Sequence, residues 1–146
     1  MSKITIDEFH AIGKRSLSFM EMMGIRLEAI GDGEVTARAH FDESFLRPGG
    51  TVSGPIMMGL ADAAMYALVL SLIGPVELAV TTNLNINFLQ KPLPGDVIAV
   101  AKILKLGKRL AIGEIYLYSD TGYSDAGDHS DPVAHVTSTY SIPPIR

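Results

Sequence analysis

The sequence predicts an α+β fold in which an antiparallel sheet wraps around one long apolar helix. Three observations carry that expectation. The run PIMMGLADAAMYALVLSLI at 55–73 is apolar nearly all round and contains a single charged residue, which in a globular chain means burial on most faces. The segments before and after it alternate apolar and polar residues with a period of two, the mark of strands with one buried face. These strands follow one another without intervening helices, so a doubly wound parallel sheet has no basis and an antiparallel sheet does. With 146 residues, the chain falls in the range of one domain able to bury a core without staples, and residues 1–146 are expected to form it.

In order along the chain, Thr5 and Glu8 have the spacing of a capping box, and Phe9, Ile12, Leu17 and Met20 recur at helical intervals up to Gly24. A short amphipathic helix over about 5–23 is expected. From Ile25 the period changes. Ile25, Leu27 and Ala29 alternate with Arg26 and Glu28, Gly31-Asp32-Gly33 turns the chain, and Val35, Ala37, Ala39 and Phe41 alternate with polar neighbours. This predicts a hairpin. The stretch RPGGTVSGP at 47–55 reads as irregular, and Pro55 suits a helix start, where its missing N–H has no partner to lose. The apolar helix then runs to Gly74-Pro75. Four further strands are expected over 78–89, 96–106, 109–118 and 132–142. Their connections are PLPG at 92–95, Gly107-Lys108 and the polar loop SDTGYSDAGDHSD at 119–131. That loop is acidic but lacks the calcium-loop spacing, so it reads as a solvated connection.

Composition removes several function classes. With no cysteine there is no disulfide, thiolate metal site or cysteine nucleophile, and the start of the chain lacks a basic stretch followed by an apolar one. A cytoplasmic setting is expected. A net charge of −4 opposes sequence-independent nucleic-acid binding, which lysines and arginines drive by displacing counterions. The apolar run has the length of a membrane span, yet Asp62 at its middle and the alternating strands after it favour a buried core helix over a membrane one. His10, His40, His129 and His135 fall on separate elements without ligand spacing, and no metal is expected. Neither a dinucleotide fingerprint nor a phosphate loop is present.

Chemistry concentrates around Asp62, the one charged side chain between Arg47 and Glu77. A buried carboxylate is costly unless compensated, so it reads either as a general base or nucleophile or as a structural acid paired with its surroundings. The amide of Gly54 at the helix start could stabilise an oxyanion, or the glycine could simply serve a tight turn. Ser53 lies in G-x-x-S-G with no strand leading into it, unlike a nucleophile elbow. Lys102, Lys105, Lys108 and Arg109 gather near one hairpin turn; they could hold phosphates or solvate a strand edge.

Two stretches, RPGGTVSGPIMMGLADAAM at 47–65 and AVTTNLNINFLQKPLPGD at 79–96, together resemble the hotdog-fold acyl-CoA thioesterases of the phenylacetate-pathway (PaaI-like) type. The likeness rests on the loop entering a helix that carries L-A-D, the strand motif F-L-x-x-P-x-x-G-D, and the K-x-G-K-R turn. It implies a hotdog fold and hydrolysis of an acyl-CoA thioester, with Asp62 as base or nucleophile, Gly54 N–H on the carbonyl, and Thr81 placing the water. Coenzyme A would be part of the substrate, with no separate cofactor. By the same resemblance Lys108 and Arg109 meet the coenzyme A phosphates, while Arg47, Ser53, Met58 and Asn83 contact substrate. Met57, Met58 and Met65 would line an acyl pocket. Homodimers joined edge to edge, and tetramers of such dimers, are implied, with Thr81 coming from the other subunit. Where the family often has H-G-G this chain has Ser53-Gly54-Pro55, and Arg47 stands at a common asparagine position. Those departures prompt a second reading, a non-catalytic acyl-CoA binder. A hydroxyacyl-thioester dehydratase is a weaker third, since that chemistry usually needs a histidine near the helix acid.

Overall fold

The computed structural model describes residues 1–120 and 131–144. Most of the acidic connection, with His129, lies outside the described residues. Thr5 caps the first helix: its Oγ1 accepts the Glu8 N–H at 3.1 Å and Glu8 Oε1 accepts the Thr5 N–H at 3.0 Å, the expected capping box. The predicted single helix is in fact two, α1 (Ile6–Ser16) and α2 (Ser18–Met22), broken at Leu17 with φ −132° and ψ 69°. The break folds Met20 back over Gly13, where an added Cβ would stand 3.3 Å from the Met20 methyl. Met20 is thereby buried, and that burial favours two short helices over a continuous one.

Six strands form one antiparallel sheet in the order β1-β2-β6-β7-β8-β5. They are β1 (Ile25–Gly31), β2 (Glu34–Ala39), β5 (Val80–Phe88), β6 (Val97–Leu106), β7 (Leu110–Ser119) and β8 (Ala134–Ser141). The central helix α3 (Gly54–Ile73) touches all six. Its length and composition would suit a membrane span, but the sheet buries most of it, as expected of a core helix. This is the hotdog arrangement implied by the resemblance.

Two β-bulges alter the simple alternation. In β1 the register shifts between Leu27 and Ala29, so Ala29, expected inside, is exposed, while Ile30 packs against the core. Phe41, also expected inside, lies beyond β2 and is partly exposed. In β5 the shift falls between Thr81 and Asn83. Leu84, Ile86 and Thr81 are the partly buried positions there, whereas unbroken alternation would have turned Thr82 inward.

The segment 47–55 is more regular than expected. Leu46–Arg47 (β3) pairs with Thr51–Val52 (β4) in a small ribbon, closed by Gly49 and Gly50 at φ +99° and +76°, where glycine avoids the Cβ clash. The ribbon delivers the chain to the start of α3. The two sheet edges differ too. Helices α1 and α2 pack against β1, and His10 Nε2 accepts the Leu27 N–H at 2.9 Å. By contrast β5 pairs only with β8 and leaves Val80 and Phe88 57% and 51% exposed.

Candidate active site at Asp62

Asp62 sits two turns into α3 and is half-buried. One of its oxygens, Oδ1, accepts the Thr81 hydroxyl at 2.6 Å and the Tyr140 hydroxyl at 3.0 Å. Tyr140 also reaches the Asp62 backbone carbonyl at 3.2 Å. Among the described residues no donor reaches Oδ2. The carboxylate is therefore held through one oxygen and open at the other, which suits a base that must meet a water or a nucleophile that must meet a carbonyl carbon.

The sheet explains why these groups meet. Thr81 and Tyr140 are register partners on β5 and β8, and the bulge at Thr82 turns Thr81 toward the helix. On β8, Val136, Ser138 and Tyr140 form the buried face. Tyr66, one turn after Asp62, packs its ring 6.1 Å from that of Tyr140 and donates its own hydroxyl to the Glu77 carbonyl at 3.0 Å. Burial, then the charge of Asp62, pushes the Tyr140 phenol well above its ordinary pKa, with Thr81 opposing. Tyr140 therefore stays protonated, a donor at any working pH. Sequence reading missed Tyr140; its inward phase on β8 was visible, but its pairing with Thr81 was not.

Gly54 lies elsewhere. Eight residues separate it from Asp62, about 12 Å along the helix axis. It borders the far end of β5, where an added Cβ would stand 3.2 Å from Phe88 Cζ. There Arg47, Gly54, Met57, Phe88 and Lys91 help line a cavity of about 400 Å³. The Gly54 N–H belongs to the first turn and has no intrahelical acceptor; Ser53 supplies no side-chain cap, and no acid sits in that turn. Arg47 is exposed at the rim.

The remaining predicted residues divide between these places. Thr81, expected from a second subunit, bonds the Asp62 of its own chain. Asn83 is exposed and alternates away from the helix-facing Leu84, so it does not join Asp62. Met57 borders the Gly54 cavity, Met58 is 38% exposed one turn before Asp62, and Met65 is 0% exposed. Met65 is core rather than pocket: Gly113 makes room for it, and an added Cβ there would lie 2.7 Å from the Met65 sulfur. Leu110, Ser141 and Val80 form one row across β7, β8 and β5. The Lys108-Arg109 turn thus lies on the Thr81 side of the sheet, with Arg109 Nε donating to the Ile142 carbonyl at 3.2 Å. Asp62, Thr81 and Tyr140 are brought together; Gly54, Ser53 and Arg47 are grouped apart from them.

The Thioesterase superfamily matches residues 49–126, a range that holds Ser53, Gly54, Asp62 and Thr81. The chain belongs to that superfamily. A solved structure from Silicibacter sp. TM1040, provisionally named a thioesterase, is 42% identical, with a TM-score of 0.83 over 99% of this chain and 95% of the other. A mutant of the phenylacetic acid degradation protein PaaI from Thermus thermophilus shares the fold at 24% identity, with a TM-score of 0.72 over 86% of this chain and 99% of the other. Among curated proteins, the 1,4-dihydroxy-2-naphthoyl-CoA hydrolase of Listeria monocytogenes is 25% identical over 72% of this chain and 85% of its own length. For this superfamily member the half-bonded Asp62 carboxylate is the candidate reacting group.

Proposed function

We propose that the chain hydrolyses acyl-CoA thioesters, with Asp62 as general base or nucleophile. The observation that carries this is the Asp62 carboxylate, held at Oδ1 by Thr81 and Tyr140 and open at Oδ2. As a base, Oδ2 takes a proton from water, whose oxygen attacks the thioester carbonyl carbon. The electron pair of the C=O bond moves to oxygen, and a backbone N–H stabilises the oxyanion. Collapse breaks the C–S bond, and the proton on Asp62 passes to the departing coenzyme A sulfur. The products are a carboxylic acid and free coenzyme A. Acting as nucleophile, the same oxygen would form an anhydride that water then opens.

The oxyanion donor must lie about 3 Å from the carbonyl oxygen, and about 12 Å of helix separates Gly54 from Asp62 in one chain. That span is too long for both to act on one carbonyl. An antiparallel two-fold pairing of β5 with a second β5, centred between Leu84 and Asn85, sets Thr81 opposite the Phe88 end of the other copy. Asp62 of one chain then approaches Gly54 of its neighbour. The unpaired, partly apolar β5 edge favours such a dimer, in which Gly54, not Thr81, crosses the interface. Lys108 and Arg109, on the Thr81 side, take the coenzyme A phosphates in this reading, and Arg47, Ser53 and Met57 face the acyl portion.

Hydrolysis is favoured over dehydration by where the three histidines among the described residues stand. His10 accepts the Leu27 N–H, His40 faces Asp96 at 3.5 Å, and His135 meets Glu114 at 3.0 Å. Each is engaged away from Asp62. The test is release of free thiol from short, medium, long and aromatic acyl-CoAs by the purified protein and by Asp62→Ala. Turnover that Asp62→Ala lowers by about a thousandfold supports the reading. Saturable binding without hydrolysis would replace it with a binding role.

A further inference from the structure

We propose that Tyr140 is a positioning residue for the reaction: it fixes Asp62 so that Oδ2 alone is presented to the reacting atoms. This rests on the hydrolase reading above and adds to it a residue that touches no substrate. Tyr140 is buried at 3% exposure. Its hydroxyl is shared between Asp62 Oδ1 and the carbonyl of the same residue, at 3.0 and 3.2 Å. Bonding side chain and backbone of one aspartate from one phenol restrains the carboxylate's rotation as well as its charge. Thr81 adds a shorter bond to the same oxygen, so both neighbouring donors act on Oδ1.

The ring has a support of its own. Phe9, Tyr66 and Tyr140 pack in a row of mutually tilted rings, with centroids 6.0 and 6.1 Å apart, so α1 packs against Tyr66 and Tyr66 against Tyr140. Among the described residues the groups bonded to the Asp62 side chain are Tyr140 from β8 and the neutral Thr81 from β5, while the Tyr66 hydroxyl on its own helix is turned to Glu77. Beyond Tyr66, Glu77 is paired to Arg15 at 3.0 Å. Loss of the Tyr140 hydroxyl therefore leaves Thr81 as the sole donor to the carboxylate among the described residues.

The test uses Tyr140→Phe, which keeps the ring and its packing, beside Tyr66→Phe, which removes a hydroxyl bonded to Glu77 instead. Thiol release is measured over a range of acyl-CoA concentrations, and the urea midpoint of each variant reports that it is folded. Tyr140→Phe is expected to lower kcat about tenfold with KM little changed. Tyr66→Phe should leave both where they are. An undiminished kcat in a folded Tyr140→Phe protein, or an equal loss in Tyr66→Phe, overturns the positioning role while an active wild type keeps the hydrolase reading. If the wild type itself hydrolyses no acyl-CoA, the hydrolase reading fails, and this proposal with it.

Discussion

At one end of β5, Thr81 and Tyr140 close on a single oxygen of Asp62 at 2.6 and 3.0 Å, while at the other end Gly54, Arg47 and Lys91 border a cavity of about 400 Å³. The first end is satisfied by its own chain, down to the direction of each hydroxyl. The second offers a first-turn amide and exposed cations with no acid in the helix turn to meet them. A base must be held in one geometry before substrate arrives, whereas an oxyanion donor must remain unbonded until charge develops. On the proposed hydrolase reading, the difference between the ends is the difference between two catalytic duties, placed about 12 Å apart on one helix.

The largest effect that could break this comparison is at the open end. Gly54→Pro removes the amide at a helix position that tolerates proline, and thiol release is expected to fall about a hundredfold. The loss should fall on kcat more than on KM, because the amide acts on charge that develops only in the transition state. An undiminished rate in a folded Gly54→Pro protein would mean that the open end supplies no oxyanion donor.

Next in size is a stability effect beside the closed end. In Gly113→Ala the new Cβ would meet the Met65 sulfur at 2.7 Å and the Lys102 carbonyl at 3.0 Å. Overpacking of this kind costs about 1–3 kcal/mol, read as a lower urea midpoint. Met65→Ala in the same chain should recover part of the overpacking loss, whereas Met65→Ala alone should cost about 2–5 kcal/mol.

The smallest effect is an acid sensitivity, and it belongs to the open end. Burial opposes the Asp96 carboxylate, but the Phe41 N–H at 2.7 Å, Arg38 at 3.1 Å and His40 hold its pKa below the ordinary value. A carboxyl with a depressed native pKa contributes stability that is complete above its unfolded value, about pH 4, and is lost as pH falls through the native one. Phe41 leads into the ribbon that carries Arg47. Asp96→Asn should therefore cost about 1 kcal/mol at pH 7 and flatten the stability curve below pH 4. Hydrogen exchange should quicken around Phe41 but not around Tyr140.

Much of this architecture was legible in the sequence, because period-two alternation and one all-apolar run describe a sheet around a helix directly. Asp62 stood out for the same reason, as one charge in a buried run. Other features depend on register, which a single sequence does not display. Thr81 points inward only because Thr82 bulges, and Tyr140 meets it only because β5 and β8 pair in that phase. The split of the first helix at Leu17 had no proline or glycine to announce it and follows from the burial of Met20. The resemblance implied a Thr81 from the other subunit, whereas within one chain Thr81 already bonds Asp62, a contact that spacing along the sequence does not show.

The central claim is that one reaction centre joins the closed end of one chain to the open end of another. It is tested most directly by co-expressing an Asp62→Asn chain and a Gly54→Pro chain under different tags and purifying through both. Each variant alone should be nearly inactive. A mixed dimer holds one centre with both Asp62 and Gly54 intact, so the doubly purified protein should regain about half the wild-type activity. Activity no higher than that of either variant alone would contradict the account.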